Sequence, residues 1–90
     1  MGVKISIPWF LQRASNGAKI TEVQGSNVGD CLKRLTERFP LLEKELFDKQ
    51  GKLSPHIDIY VDGQSVYSEG LAKPVKDGSE LSILFIVGGG

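Results

Sequence analysis

One segment of this chain carries the apolar repeat of a helix, while the other patterned segments alternate as strands do. Its apolar residues recur at spacings of four, three, four and three, the repeat of one helix face: Val28, Leu32, Leu35, Phe39 and Leu42. Asn27 is a favourable N-cap, and Pro40 ends the helix. A single helix, predicted from Val28 to about Phe39, can cover only one face of a sheet. The chain is thereby limited to a two-layer arrangement of helix and sheet.

Alternation of apolar and polar residues predicts the strands of that sheet. The alternating segments are residues 3–8, 18–23, 57–61, 64–67 and 80–87. Ser15-Asn16-Gly17 is turn-forming and makes the first two segments a hairpin, and Asp62-Gly63 predicts a tight turn between the next two. Residues 41–56 are less regular and predict a short helical turn followed by a loop.

The predicted order is strand, strand, helix, strand, short strand, strand. A hairpin followed by a helix and further strands is an α+β layout, with the helix packed on one face of a mixed sheet. This order is that of the β-grasp, or ubiquitin-like, fold, with about five strands and one main helix. We expect one domain over residues 1–90, with a flexible glycine tail at residues 88–90.

Composition argues against several classes of function. Eleven basic residues balance eleven acidic ones, which does not favour nucleic acid or an anionic membrane as partner. No apolar run could span a membrane and no signal peptide is recognisable, so we expect a cytoplasmic protein. Cys31 is the one cysteine, which excludes sites built from several thiolates. His56 is the one histidine and has no partners that would make it a catalytic base, which argues against an independent enzyme.

The last predicted strand has too many apolar residues for a sheet covered on one face. Leu81, Ile83 and Phe85 fall on one face; Ser82, Leu84 and Ile86 fall on the other. Polar residues are expected on that second face if it is exposed to water, yet Leu84 and Ile86 are apolar. Tyr60 points to the same face. The three residues predict a docking surface for a partner. The alternative is that residues 44–56 fold over them.

The sequence ends on Gly88, Gly89 and Gly90. Without Cβ atoms, glycines can pass through a channel that any side chain would block. A carboxylate on Gly90 is ionised at neutral pH and can attack the α-phosphate of ATP in a partner's site. A frayed end without function is the alternative. The glycines directly follow a long apolar strand, which favours a tail with a function.

The chain as a whole resembles the ubiquitin-like sulfur carriers of the MoaD/ThiS type. The segments that carry the resemblance are VKISIP, NVGDCLKRL, GKLSPHIDIYVDGQSV, GLAKPVKDGSELSIL and the Gly89-Gly90 end. Within the family, the chain is most similar to carriers that serve cysteine biosynthesis. Three motifs carry this similarity: the IP after the first strand, the GKL before a strand and the GLA before the DG turn. Two features depart from the family pattern: Phe85-Ile86 replaces a proline-containing segment, and Gln12 stands where a basic residue is common.

The resemblance implies a protein that carries sulfur for other enzymes and binds no cofactor itself. An E1-like adenylating partner would consume ATP to convert the Gly90 carboxylate to an acyl-adenylate, and sulfur would replace AMP to leave a thiocarboxylate. It further implies that Gly88 and Gly89 thread the tail, that Leu84 docks the activating enzyme, and that the acceptor is of the cysteine synthase or sulfhydrylase type.

Three other functions stay open at this point. One is the small subunit of molybdopterin synthase, whose tail enters the large subunit. Another is a ubiquitin-like modifier joined to target lysines through Gly90. The last is a passive β-grasp binding module with an irrelevant tail.

Overall fold

The computed structural model describes residues 2–66 and 69–86. In that part of the chain, five strands form one sheet: β1 (Val3–Ser6), β2 (Ile20–Val23), β3 (Ile57–Val61), β4 (Gln64–Ser65) and β5 (Glu80–Phe85). Their order across the sheet is β2-β1-β5-β3-β4. The central strand, β5, pairs with β1 in parallel, and the other three pairings are antiparallel. The predicted α+β class and mixed sheet are confirmed.

The main helix, α1, spans Val28–Arg38 and begins at the predicted cap. The Asn27 Oδ1 atom accepts a hydrogen bond of 2.7 Å from the Asp30 backbone N–H. The Asp30 Oδ2 atom accepts one of 2.8 Å from the Ser26 hydroxyl. This hydrogen bond and the Ser26 backbone N–H lower the pKa of Asp30, since both favour the ionised carboxylate. A carboxylate in the first turn also suits the positive end of the helix.

The core lies between α1 and one face of the sheet. Buried residues of α1 meet buried residues of the central strands: Val28, Cys31, Leu32 and Leu35 from the helix, and Ile5, Ile59, Leu81 and Ile83 from the sheet. After α1, a 3-10 turn (Pro40–Leu42) and a short helix α2 (Glu43–Leu46) follow, and Leu42 and Leu46 are buried in the same core. Residues 42–46 therefore extend the helical layer rather than cover the opposite face of the sheet.

The hairpin between β1 and β2 contains a 3-10 helix at Trp9–Ser15 that the alternation pattern did not predict. Leu11 and Ser15 are its buried residues. The Gln12 side-chain amide donates a hydrogen bond of 3.0 Å to the carbonyl of Ile7. The predicted turn follows, with Asn16 in the left-handed region at φ 57°. Gln12, which replaces a basic residue of the family pattern, thus holds this connection to the end of β1.

Candidate functional site: the root of the C-terminal tail

The last described residues form the root of the glycine tail. Phe85 pairs with Ile57 at the end of β5, and the Ile86 N–H donates a hydrogen bond of 2.8 Å to the carbonyl of His56. The chain is therefore held against β3 as far as Ile86. Gly88, Gly89 and Gly90, which the sequence assigns to threading and modification, lie outside the described residues.

The predicted docking residues lie together on the uncovered face of the sheet. Leu84 is 42% exposed and Ile86 is 47% exposed, and Tyr60 is half-buried. Leu84 pairs with Asp58 and Tyr60 pairs with Ser82, so Tyr60 and Leu84 are diagonal neighbours on one face. We call Tyr60, Leu84 and Ile86 the outer patch. Its exposure decides against the alternative in which residues 44–56 cover it. The apolar residues Leu46, Phe47 and Leu53 of that segment pack against the core instead.

Polarity on this face changes along the strands toward the tail. A charged row runs across three strands at the far end, formed by Glu22, Lys4 and Glu80. The next row carries the hydroxyls of Ser6 and Ser82 between the exposed Ile20, on the edge strand β2, and Tyr60 on β3. Leu84 stands one row nearer the tail, opposite Asp58, whose carboxylate accepts hydrogen bonds of 3.0 and 3.2 Å from the Ser65 hydroxyl. The apolar end of the face is thus the end from which the tail departs.

A second apolar surface borders the tail root and was missed by the sequence reasoning. Its four aromatic side chains form a continuous row, which we call the aromatic cluster: Trp9, Phe10, Phe85 and His56. The Phe10 and Phe85 ring centroids are 5.4 Å apart in an edge-to-face contact, and those of Trp9 and Phe10 are 5.9 Å apart. The His56 ring stacks on Phe85 with centroids 6.1 Å apart. Trp9 is 82% exposed and Phe85 is 51% exposed.

Phe85 is exposed although it shares a face with the buried Leu81 and Ile83. The pairing of β1 with β5 ends at Ser6 and Ser82, so Phe85 extends beyond the paired centre of the sheet. Phe10, from the 3-10 helix, contacts it there in place of a core residue. The signal available in the sequence was the doublet Trp9-Phe10, two large aromatic residues placed after Pro8 and before a turn.

Other chemistry-bearing groups in the described residues do not form a reactive site. Cys31 is fully buried, and this burial, with the nearby Asp30 charge, raises the pKa of its thiol. In residues 2–66 and 69–86 no group of three or more histidine, cysteine or acidic side chains could hold a metal ion. Within the same residues, each helix is too short or too polar to span a bilayer.

A groove lies away from the tail root, between α1 and the segment that follows it. It has a volume of about 800 Å³ and is lined by charged side chains of both signs, including Lys33, Lys44 and Asp48, beside Phe47. In the described part of the chain no buried side-chain nitrogen or oxygen lacks a hydrogen-bond partner, so no unpartnered buried group marks this groove as a ligand site. The tail root is the better candidate site.

Comparison with known proteins identifies the family of this chain. The model of the ThiS family matches residues 9–90, which include the tail. The chain belongs to the ThiS family. The sulfur carrier protein CysO of Mycobacterium tuberculosis is 33% identical over 93 residues, and the match covers all of both chains. The resemblance stated from the sequence is therefore confirmed.

Two solved structures of similar proteins share the fold over nearly their whole length. In the complex of BexX and CysO from Amycolatopsis orientalis, the matching chain is 35% identical, with a TM-score of 0.88 over 98% of this chain and 99% of that one. The small archaeal modifier protein 1 of Methanosarcina acetivorans is 32% identical, with a TM-score of 0.85 over 98% of this chain and 95% of that one. The β-grasp assignment is confirmed by both.

Proposed function

We propose that this protein is a sulfur carrier that holds sulfur as a thiocarboxylate on Gly90, most like the carriers of cysteine biosynthesis. The observation that carries the proposal is the family match, which runs through residue 90, together with full-length similarity to the sulfur carrier protein CysO. The exposed apolar surface at the tail root supports it, because a tail that works inside other enzymes needs a docking surface beside it.

The proposed chemistry takes place in partner enzymes. A carboxylate oxygen of Gly90 attacks the α-phosphorus of ATP, and pyrophosphate leaves. Hydrosulfide then attacks the carbonyl carbon of the acyl-adenylate, and AMP leaves with the former carboxylate oxygen, so that one sulfur replaces one oxygen. In the acceptor enzyme the sulfur displaces a leaving group from a carbon of the acceptor substrate and forms a thioester. Water then cleaves the thioester, which releases the acceptor as a thiol and returns Gly90 to the carboxylate. The carrier itself needs no bound cofactor for these steps.

The proposed role of the outer patch is to seat the E1-like adenylating enzyme. Leu84 and Ile86 are exposed on the face opposite the core, and the backbone at Ile86 is tied to β3. A partner that covers this patch therefore meets the tail at a fixed point. From there, Gly88 and Gly89 carry no side chains that would obstruct a narrow channel.

Changes to the tail test the proposal. Adding one alanine after Gly90 moves the carboxylate past the reactive position, and we expect loss of ATP–pyrophosphate exchange with the adenylating enzyme of the same genome. Deletion of Gly89-Gly90 is expected to have the same effect. A chain with one glycine added after Gly90 is the control that separates length from obstruction, because it extends the tail without adding a Cβ atom, and the same loss is expected. Melting temperatures should barely change, since residues 88–90 are not expected to contribute to the core.

An extended protein that is activated as fast as the wild type, with no trimming seen by mass spectrometry, would contradict the proposal. So would wild-type partner binding and cellular function after deletion of Gly89-Gly90, which is the result expected of a passive binding module.

A second candidate is a protein modifier whose Gly90 forms isopeptide bonds with lysines. The favouring observation is the 32% identity and the TM-score of 0.85 to the small archaeal modifier protein 1 of Methanosarcina acetivorans. Both candidates begin with the same acyl-adenylate, and they differ in the nucleophile that follows. Glycine remnants on lysines of proteins from the source cells, detected by mass spectrometry after proteolysis, would identify the modifier.

A further inference from the structure

Two separate apolar surfaces flank the tail root on opposite sides of β5. Side chains alternate along a strand, so Phe85 points away from the face that carries Leu84 and Ile86. Phe85 joins the aromatic cluster with Trp9, Phe10 and His56, while Leu84 and Ile86 belong to the outer patch. A partner seated on the outer patch therefore does not need to cover the aromatic cluster.

The aromatic cluster is held in place by the fold, although much of it is exposed. Leu11, next to Phe10, is buried in the core, and the Gln12 side chain is hydrogen-bonded to the carbonyl of Ile7. Trp9 and Phe10 thus project from an anchored 3-10 helix, and Trp9 remains 82% exposed. Anchored and exposed aromatic side chains lose little conformational freedom on association, and tryptophan is enriched among the residues that dominate interface affinity.

The short tail brings any enzyme that acts on Gly90 close to this cluster. Four residues, 87–90, follow Ile86. Fully extended, four residues span at most about 14 Å. Phe85 comes one residue before Ile86, and the Phe10 and Trp9 rings lie beyond the Phe85 ring at successive centroid separations of 5.4 and 5.9 Å. An enzyme with Gly90 in its reaction centre must place the mouth of its channel against one or both of the surfaces at the root.

We infer that the aromatic cluster docks the sulfur-accepting enzyme, an inference that rests on the proposed carrier function. The carrier has to leave the activating enzyme and bind a second one with the same tail. The outer patch is continuous with the polar face of the sheet and serves the first enzyme, and the aromatic cluster on the opposite side serves the second. Because the cluster offers ring faces and edges, it fits an apolar rim around the acceptor's tail channel rather than a charged surface.

Trp9→Ala tests this inference because Trp9 is the most exposed ring and contributes little to the core. The control is Ile20→Ala, another exposed apolar residue, which lies on the edge strand β2. Each protein is loaded with sulfur by the adenylating enzyme and titrated calorimetrically against the pyridoxal-phosphate sulfhydrylase of the same genome. We expect Trp9→Ala to load at the wild-type rate and to bind the sulfhydrylase at least about tenfold more weakly, with Ile20→Ala unchanged in acceptor binding.

Four results would overturn the inference. In the assays, Trp9→Ala could lose loading and acceptor binding equally, lose loading alone, or behave as the wild type in both. The fourth result is a dimer of the free protein that Trp9→Ala dissociates. The last would make the cluster a contact between two copies of this chain. Failure of the proposed function is seen separately, since in that case the wild-type protein acquires no sulfur at all.

Discussion

Cys31 shows how burial separates one sulfur atom from the sulfur chemistry proposed for the tail. Its side chain is fully buried on α1, and Gly25 packs so closely against it that a Cβ at Gly25 would lie 2.7 Å from the thiol sulfur. Burial raises the pKa of the thiol, so at neutral pH it is protonated as well as shielded. Cys31 is therefore a small apolar core residue.

We expect Cys31 in the folded protein to resist iodoacetamide at neutral pH, and to react once urea unfolds the chain. Because the folded state keeps the thiol proton at a pH where the unfolded chain loses it, stability should fall as the pH rises through and above the ordinary thiol range. Urea titrations at neutral and alkaline pH measure this, and Cys31→Ala, which has no thiol, is the control. Rapid alkylation of the native protein would contradict the burial.

Single residues also mark what the sequence could and could not predict. Alternation identified Leu84 and Ile86 as outward-facing, because strand parity is a local property. Parity alone placed Phe85 on the face of Leu81 and Ile83, but its exposure depends on where β1 stops beside β5, which is a tertiary feature. Trp9 was missed for the same reason, since its role is visible only once Phe85 is seen beside Phe10.

At the level of elements, β5 links the core to the tail. Its first half contributes Leu81 and Ile83 to the core between β1 and β3, and its last residues extend past β1. Pairing with β3 continues to the end of the strand and holds the root in place. One strand thus supplies stability at one end and a fixed, apolar departure point for the tail at the other.

We expect Leu84→Lys to slow adenylation about tenfold or more, because a charge replaces an apolar contact at the centre of the outer patch. Lysine is chosen because Asp58 lies directly opposite, where an added carboxylate would repel it. Loss of the half-buried leucine should cost about 1 kcal/mol of unfolding free energy. ATP–pyrophosphate exchange and urea denaturation measure the two effects.

Leu41→Lys is the matched control for this variant, since Leu41 is an exposed leucine in the 3-10 turn after α1 and is not on the sheet. Adenylation should proceed at the wild-type rate in that control. A normal rate in Leu84→Lys would show that the outer patch is not part of the interface with the adenylating enzyme. A large loss of stability would mean that Leu84 mainly stabilises the fold.

Elements with strong periodicity were predicted well, and irregular ones were not. The helix was expected from Val28 to about Phe39 and spans Val28–Arg38, with the predicted cap at Asn27. The 3-10 helix at Trp9–Ser15 has too few residues to show a repeat, and its position is fixed by Leu11 in the core and by the Gln12 side chain. Such segments depend on contacts that are distant in sequence.

For the whole molecule, the element order was enough to predict the α+β class and the β-grasp topology. A hairpin, one amphipathic helix and three further strands leave few ways to cover one sheet face, and the observed strand order β2-β1-β5-β3-β4 is one of them. Because the fold has only two layers, one face of the sheet is left uncovered. The proposed function depends on how that face and the aromatic cluster meet at the tail, which the order of elements alone does not specify.

The most direct measurement is the intact mass of the protein after incubation with ATP, sulfide and the E1-like adenylating enzyme of the same genome. We predict replacement of one oxygen by one sulfur, located at Gly90 by fragmentation, and no change without ATP or after deletion of Gly89-Gly90. An unchanged mass of the wild-type protein with an enzyme shown to be active, or sulfur found on Cys31 instead of Gly90, would contradict the proposed carrier function.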